Sequence, residues 1–314
     1  MVRQFALRRQ ILDVPNERSS HTSATPRGGG VAVVAVCAVG WAVALALGAG
    51  RGLAGLAVAA LTVAAVSWID DVRTLTTRSR FLIHAAAAGL LLYAMGTWGA
   101  ITVPLLGTVP VGLVGIPLAF VWVVGLTNAY NFMDGIDGVA ALQAVMAGAF
   151  WAAVGYSLGV PSVTITGLLI GAGSAGFLVH NWSPARIFMG DVGSAFLGLV
   201  FAALPLEAGD GRVPLGGLLC VWPFVFDASY TFIRRLRAGE DVFAAHRSHL
   251  YQRMTTGGRS HRFVASLYGL IAVGCAVCGF LWVVHGYEVA ALVGLVLPIG
   301  LLYLTNRYET AAGA

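Results

Sequence analysis

The chain has 314 residues, of which 58% are hydrophobic and only 11% are charged, with a mean hydropathy of +0.82. Soluble domains carry about 25% charged residues, so this composition excludes a soluble globular protein and indicates an integral membrane protein. The formal net charge is +5, and all 19 basic residues are arginines. No cleavable leader is expected, because the first 30 residues lack the apolar core of a signal peptide.

Ten apolar segments follow one another along the chain, each close to the length that crosses a bilayer core of about 30 Å. They cover approximately 31–50, 53–69, 81–99, 113–128, 138–157, 161–180, 192–207, 213–233, 263–285 and 288–305. Because backbone in lipid must satisfy its hydrogen bonds internally, each segment is predicted to be a helix. We therefore expect an all-α, polytopic membrane protein with about ten transmembrane helices, forming a single domain over residues 1–314.

Alternating helix directions place the connecting segments on two sides of the membrane. Seventeen arginines fall on the side of the N-terminus, and two, Arg51 and Arg212, fall on the other side. Basic residues concentrate in cytoplasmic loops, so the first side is predicted to be cytoplasmic.

Five polar clusters also fall on this predicted cytoplasmic side. They are "DVPNERSSHTSATPRGGG", "SWIDDVRTLTTRSR", "NAYNFMDGIDGVA", "HNWSPARIFMGDVGS" and "RRLRAGEDVFAAHRSHLYQR". Each cluster alone has an ordinary explanation: paired aspartates can cap a helix, and "DGIDG" can form a turn. Three arginines at the start of the last cluster are predicted to be lipid-headgroup anchors, namely Arg234, Arg235 and Arg237. The gathering of all five clusters on one side predicts a functional site there.

The residue types in these clusters suit a hard cation and a phosphate-bearing substrate. Carboxylates and an amide suit Mg²⁺, which takes few protein ligands and completes its shell with phosphate oxygens and water. Arginine binds phosphate through a planar fork of donors. The glycines of "PRGGG" and "MGDVGS" allow backbone to approach a ligand closely. A membrane enzyme with such a site is expected to act on a phosphorylated lipid.

The five clusters, in their order along the chain, resemble the motifs of the polyprenyl-phosphate N-acetylhexosamine-1-phosphate transferase superfamily (MraY/WecA type, glycosyltransferase family 4). The matching stretches are "PNERSSHTSATPRGGG", "IDDVR", "NAYNFMDGIDG", "NWSPARIFMGDVGS" and "HRSHLYQR", within about residues 11–255. The stretch "AHRSHLYQR" looks most like the bacterial O-antigen-initiating branch, because the peptidoglycan branch shows consecutive histidines there.

The resemblance implies a multi-pass protein of the bacterial inner membrane with a cytoplasmic active site. Such enzymes transfer a sugar 1-phosphate from a UDP-sugar to polyprenyl (undecaprenyl) phosphate and release UMP, which starts cell-envelope polysaccharide or O-antigen synthesis. The expected cofactor is Mg²⁺, with Mn²⁺ as the alternative. The expected partners are the lipid, the UDP-sugar and the membrane, without nucleic acid, and a homodimer is left open.

The resemblance also implies roles for individual residues. The catalytic set would be Asp70, Asp71, Asp134, Asp191, His246, Arg247 and His249. Substrate would be bound by Arg80, Asp137, Asn181 and Phe188, with Phe188 stacking on uracil, and the metal would be bound by Asn131 and Asp191. Whether Asp70 acts as a base or positions the lipid stays open, because a phosphate monoester with a second pKa of about 6 is mostly dianionic near pH 7.

Two departures from the family pattern and two rival functions remain. The family usually has another transmembrane helix before "PNER", and Thr74 stands where the peptidoglycan enzymes carry a lysine. A CDP-alcohol phosphotransferase motif begins correctly at Asp137, but Leu142 replaces its arginine. A transporter is the non-enzymatic alternative, although its functional charges should lie near the bilayer midplane rather than at one face.

Overall fold

The structure, a computed structural model, describes residues 2–15, 24–73, 75–209, 211–242, 244 and 246–312. Its elements in chain order are α1 (Val2–Arg8), β1 (Leu12–Asp13), β2 (Thr25–Pro26), α2 (Val31–Ala46), α3 (Arg51–Arg73), α4 (Thr77–Met95), β3 (Ala100–Val103), β4 (Gly107–Pro110), α5 (Gly115–Phe132), α6 (Val139–Leu158), α7 (Pro161–Asn181), α8 (Asp191–Ala208), α9 (Val213–Cys220), α10 (Trp222–Arg237), α11 (Leu250–Thr256), α12 (His261–His285), α13 (Glu288–Val296) and α14 (Ile299–Ala312). Thr74 and residues 16–23 of the first polar cluster lie outside the described residues.

The predicted all-α membrane architecture is confirmed, because each of the ten apolar segments is helical over most of its length. Within the described part of the chain, seven helical segments are long and apolar enough to cross a membrane, or eight if α9 and α10 form one broken span. Helix α2 has only 16 residues, and α4 begins with a turn that contains Arg78 and Arg80. The number of about ten spans therefore stays a prediction.

Helix α8 lies at the centre of the bundle and is buried from Val192 to Leu206. It packs between α3 and α5. At Gly198 the backbones of α5 and α8 come so close that an added Cβ would lie 2.9 Å from the Cα atom of Thr127. The missing side chain thus permits the approach that brings the end of α5 against the beginning of α8.

A short β-hairpin forms at the end of the bundle away from the polar clusters, where the sequence predicted only a link. Strands β3 and β4 pair antiparallel, with Ala100 opposite Pro110. The Thr102 N–H donates to the carbonyl oxygen of Gly211 at 2.8 Å. Two links that helix alternation assigned to the same side, 100–112 and 208–212, are therefore in contact.

The predicted segment 213–233 is divided into two helices. Helices α9 and α10 meet at Val221 with a bend of 79°. Pro223 lies in the first turn of α10, where its missing N–H is tolerated although it would interrupt a continuous helix. The bend directs α10 and its three terminal arginines towards the polar end of the bundle.

Candidate active site

Helix ends from distant parts of the sequence meet at the polar end of the bundle. Helices α3 and α5 end there, α4 and α8 begin there, and the loop before α11 packs beside them. Each of the five polar clusters contributes contacts to this assembly, such as that of Arg27 with Asp71 and that of Tyr251 with Phe132. The structure therefore brings the sequence-predicted clusters together.

Arg80 bridges two carboxylates at the centre of the site. Its Nη1 lies 3.4 Å from Asp70 Oδ2 and 3.3 Å from Asp191 Oδ2. The Asp70 side chain is only 6% exposed, whereas those of Asp191 and Arg80 are 34% and 38% exposed. Arg80 and Asp191 thus present charged groups to an incoming ligand, and Asp70 lies behind them.

Asn131 holds Asp191 from the opposite side. Its Nδ2 donates to Asp191 Oδ1 at 3.0 Å and to Ser194 Oγ at 2.9 Å. This contact depends on the close approach of α5 and α8 at Gly198, because Asn131 lies one turn beyond Thr127 and Ser194 lies one turn before Gly198. The two residues predicted to bind a metal are therefore adjacent.

Asp71 is committed to the beginning of α8. Its Oδ1 accepts from the N–H of Asp191, and its Oδ2 accepts from the N–H of Val192, both at 3.1 Å. Arg27 donates to the Asp71 carbonyl oxygen and places its Nε 3.9 Å from Asp71 Oδ1. With a side chain only 1% exposed, Asp71 caps α8 and fixes the backbone of Asp191. Its predicted place in the catalytic set stays a prediction.

The glycine before Asp191 is required by this cap. Gly190 has φ = +76°, which L side chains rarely adopt, and an added Cβ would lie 2.6 Å from Asp71 Oδ2. The sequence "MGDVGS" thus allows the chain to turn into α8 directly against the carboxylate that caps it.

Asp134 adds another carboxyl group to this region. Burial, followed by the charges of Asp191 and Asp71, raises the pKa of Asp134 well above its ordinary value. No hydrogen bond or ion pair to its side chain occurs among the described residues. These surroundings therefore favour the protonated, neutral form of Asp134.

Asp137 connects three elements. Burial opposes its ionisation, but hydrogen bonds from His261 and from the Ala185 N–H outweigh burial, and the pKa of Asp137 lies below its ordinary value. The contacts are 3.4 Å from His261 Nδ1 to Oδ1 and 3.1 Å from the Ala185 N–H to Oδ2. Asp137 thus joins the α5–α6 loop to the α7–α8 loop and to the start of α12.

Asn181 and Phe188 bracket the α7–α8 loop. Asn181 accepts from the Gly138 N–H at 3.1 Å and donates to the Ile187 carbonyl at 3.0 Å, so both atoms of its amide are used within the protein. Phe188 pairs its backbone with Pro26 and Gly29, and its side chain is half-buried. The geometry gives Asn181 a loop-shaping position, whereas Phe188 keeps part of its ring accessible for the predicted stacking.

The histidine loop, residues 246–249, is fixed between α10 and α11. The rings of His246 and His249 have centroids 4.9 Å apart. The Tyr251 O–H donates to the carbonyl oxygen of Phe132 at 3.0 Å, which ties the loop to the end of α5. Arg247, between the histidines, is half-buried.

The geometry is compatible with a divalent cation near Asp191. Among the described residues, no three acidic, histidine or cysteine side chains converge to form a metal-binding group. Two carboxylates, of Asp70 and Asp191, do approach the same guanidinium nitrogen. Mg²⁺ commonly uses one or two carboxylates and takes its remaining oxygens from phosphates and water, so these residues fit that cation.

The sequence analysis missed three residues that shape the site: Arg27, Asp227 and His261. Asp227 carried a signal, since an ionisable residue within an apolar segment is a functional-site candidate. The prediction of a headgroup anchor is wrong for Arg235, which is buried and donates to Glu240 Oε2 at 2.8 Å and to the Asp241 carbonyl at 2.7 Å. Arg235 therefore braces the loop after α10.

Comparison with known proteins identifies the family to which the sequence of this chain is similar. The model of glycosyl transferase family 4 matches residues 53–209. A probable undecaprenyl-phosphate N-acetylglucosaminyl 1-phosphate transferase of Bacillus subtilis is 30% identical, with 86% of this chain and 77% of the relative covered. A decaprenyl-phosphate N-acetylglucosaminephosphotransferase of Mycobacterium leprae is 32% identical, with 88% and 79% covered.

A phospho-N-acetylmuramoyl-pentapeptide-transferase of Synechococcus is also similar, at 32% identity over 84% of this chain and 81% of the relative. The matched family segment includes Asp70, Arg80, Asn131 and Asp191, the four residues that meet at the centre of the site. The resemblance drawn from the motifs is confirmed: the chain belongs to glycosyl transferase family 4.

Proposed function

We propose that this protein transfers a sugar 1-phosphate from a UDP-sugar, of the N-acetylhexosamine type, to polyprenyl phosphate and releases UMP. The observation that carries the proposal is the cluster of Arg80, Asp70, Asp191 and Asn131 at one end of a helical membrane bundle. The names of the relatives, which act on undecaprenyl or decaprenyl phosphate, support the lipid acceptor. The product would begin assembly of a cell-envelope polysaccharide, of which O-antigen is one example.

The proposed location is the bacterial inner membrane, with the site facing the cytoplasm. The distribution of arginines supports this orientation, since the polar end of the bundle carries nearly all of them. UDP-sugars are soluble and cytoplasmic, whereas the acceptor is a lipid, so a site at the membrane face is accessible to both substrates.

Asp191 and Asn131 are proposed to bind Mg²⁺, with Mn²⁺ able to replace it and with Asp70 close by. A bound divalent cation would neutralise charge on the donor diphosphate and improve UMP as a leaving group. The chain's own residues would do the rest. Arg80 and Arg247 would bind diphosphate oxygens, Phe188 would stack on uracil, and Asp71 would keep Asp191 in position.

The metal assignment has a direct test. Asp191→Ala should lose Mn²⁺ binding, measured by electron paramagnetic resonance, and should lose turnover. Glu207→Gln is the matched control, because it removes a carboxylate that binds Ser162 at the opposite end of the bundle. Unchanged Mn²⁺ affinity in Asp191→Ala, or full wild-type turnover in EDTA, would remove the metal from this site.

The proposed reaction is tested with purified protein, undecaprenyl phosphate, Mg²⁺ and a panel of UDP-sugars. UMP release that requires both the lipid and one UDP-sugar is expected, together with a lipid-linked sugar diphosphate. Sugar uptake into vesicles without UMP release would instead favour the transporter alternative. The same panel would identify the transferred sugar, since UDP-sugars of the N-acetylhexosamine type differ from one another by a hydroxyl group or its stereochemistry.

A further inference from the structure

Asp227 is a fully buried carboxylate that none of the proposed roles uses. It lies in α10, with 0% exposure, in the interior of an apolar stretch. Leu250 and Tyr251 donate their backbone N–H groups to it at 2.8 and 3.2 Å. The hydroxyls of Tyr268 and Thr231 approach it at 2.6 and 3.1 Å. A buried charge is tolerated when it is this fully hydrogen-bonded, so the arrangement is typical of an ionised carboxylate.

The remaining contact of Asp227 is with the histidine loop. His249 Nδ1 lies 3.3 Å from Asp227 Oδ1. The His249 side chain also faces the backbone N–H of Gln252 in a capping box. An ionised carboxylate can only accept, so the contact with Asp227 holds the proton of a neutral His249 ring on Nδ1. His249 Nε2 then carries the lone pair, and it forms no hydrogen bond within the described part of the chain.

His246 has the opposite arrangement. The backbone N–H of Ser248 points to His246 Nδ1 at 3.3 Å, and the Ser248 hydroxyl lies 2.9 Å from the same atom. A backbone N–H can only donate, so His246 Nδ1 must be the acceptor, and the proton of the neutral ring is on Nε2. Two neighbouring imidazoles therefore have their tautomers fixed in opposite senses.

We propose that Asp227 is a positioning residue that fixes the tautomer and orientation of His249, so that the loop offers one N–H donor and one lone-pair acceptor to the nucleotide sugar. The N–H of His246 Nε2 suits an anionic phosphate oxygen. The lone pair of His249 Nε2 suits a hydroxyl of the ribose or of the transferred sugar. A nucleoside diphosphate sugar carries both kinds of group, and the inference rests on the proposed function for the identity of this ligand.

The first test reads the tautomers directly, without activity. Histidine ¹⁵N spectra of the full chain in detergent, at a pH where the rings are neutral, should show His249 protonated on Nδ1 and His246 on Nε2. The His249→Gln and His246→Gln spectra assign the signals. Asp227→Asn should weaken the preference of His249 for the Nδ1-protonated tautomer, because a neutral amide oxygen is a poorer acceptor than a carboxylate, and should leave His246 unchanged. A wild-type His249 protonated on Nε2 would overturn the proposal.

The second test separates positioning from simple structural support. Orienting partners of metal-binding histidines typically contribute about 10–100-fold to affinity or activity. We expect Asp227→Asn to lower kcat/KM by a comparable factor, about 10–100-fold. In a His249→Gln background the same change should cost almost nothing further, since Asp227 acts through His249. A full additional loss there would show that Asp227 acts otherwise.

Thr231→Val is the matched control, because it removes another hydrogen bond to the same carboxylate without touching His249. It should retain the Nδ1-protonated tautomer and near-wild-type kcat/KM. A loss equal to that of Asp227→Asn would make the network merely structural and refute the proposal. If no UDP-sugar is turned over by the wild type, the proposed reaction fails, while the spectra still decide the tautomers.

Discussion

Substitution of the two paired aspartates should have different effects. Asp70→Asn should mainly lower turnover, whereas Asp71→Asn should mainly lower stability. Asp70→Asn keeps an oxygen for the Leu75 N–H, which Asp70 Oδ1 accepts, and loses an ion pair with the partly exposed Arg80. Pairs of that kind contribute about 0–1 kcal/mol to stability. Asp71→Asn is different, because both carboxylate oxygens accept backbone N–H groups of α8. Its amide nitrogen must face one of those donors.

The magnitude follows from that contact. A buried backbone donor left without an acceptor costs about 1–3 kcal/mol, and hydrogen bonds to a charged group contribute about 1.5–3 kcal/mol. Loss of one of the two caps should therefore lower the free energy of unfolding by about 2–3 kcal/mol. Turnover of Asp70→Asn should fall by about 10–100-fold, equivalent to one charged hydrogen bond at the reacting end of the site.

The assay pairs sodium dodecyl sulfate titration in mixed micelles, followed by circular dichroism, with UMP release. We expect Asp71→Asn to unfold at clearly lower detergent fraction and Asp70→Asn to unfold close to the wild type while turning over slowly. Equal stability of Asp71→Asn and the wild type would refute the capping role. Strong destabilisation of Asp70→Asn would show that its buried position, and not Arg80, decides its contribution.

Four further outcomes are expected. Arg247→Lys should lower kcat/KM by about 10–100-fold, because a lysine keeps the charge but loses the planar fork of donors. Near-wild-type kinetics would show that Arg247 does not bind the diphosphate. Asp137→Asn should unfold more easily than the wild type at pH 7. The difference in stability should shrink as the pH falls below about 4, because the pKa of Asp137 is depressed in the folded protein and its stabilisation is lost on protonation. A difference in stability that persists in acid would contradict this. Arg237→Cys should react with an impermeant thiol reagent only from the cytoplasm and Leu105→Cys only from outside, and labelling from one side would break the predicted topology. Delipidated enzyme with donor alone should release no UMP, because the lipid phosphate is itself the nucleophile, and a stoichiometric burst would indicate a covalent intermediate.

Hydrophobicity alone predicted the positions of the helices, because in lipid an apolar segment can satisfy its backbone hydrogen bonds by itself only as a helix. It could not show the break at Val221 or the hairpin of β3 and β4, since both are set by local turns within apolar sequence. The motifs and the family resemblance predicted residues that meet in the candidate site, including Arg80 and Asp191. It could not show that Asp71 caps α8 or that Asp227 holds His249, because these contacts join residues that the tertiary fold alone brings together.

The cap at the beginning of α8 also has a consequence for how the protein is made. Asp71 belongs to a helix that leaves the ribosome about 120 residues before α8 does, the separation of the two contacting residues. Until both helices are inserted and paired, the first N–H groups of α8 lack the carboxylate of Asp71 as their acceptor, and this cap does not hold Asp191 in place. The contacts that hold the histidine loop form later still, since Tyr268 of α12 donates the last of the hydrogen bonds to Asp227. The candidate site of a nascent chain is therefore incomplete until α12 has entered the membrane.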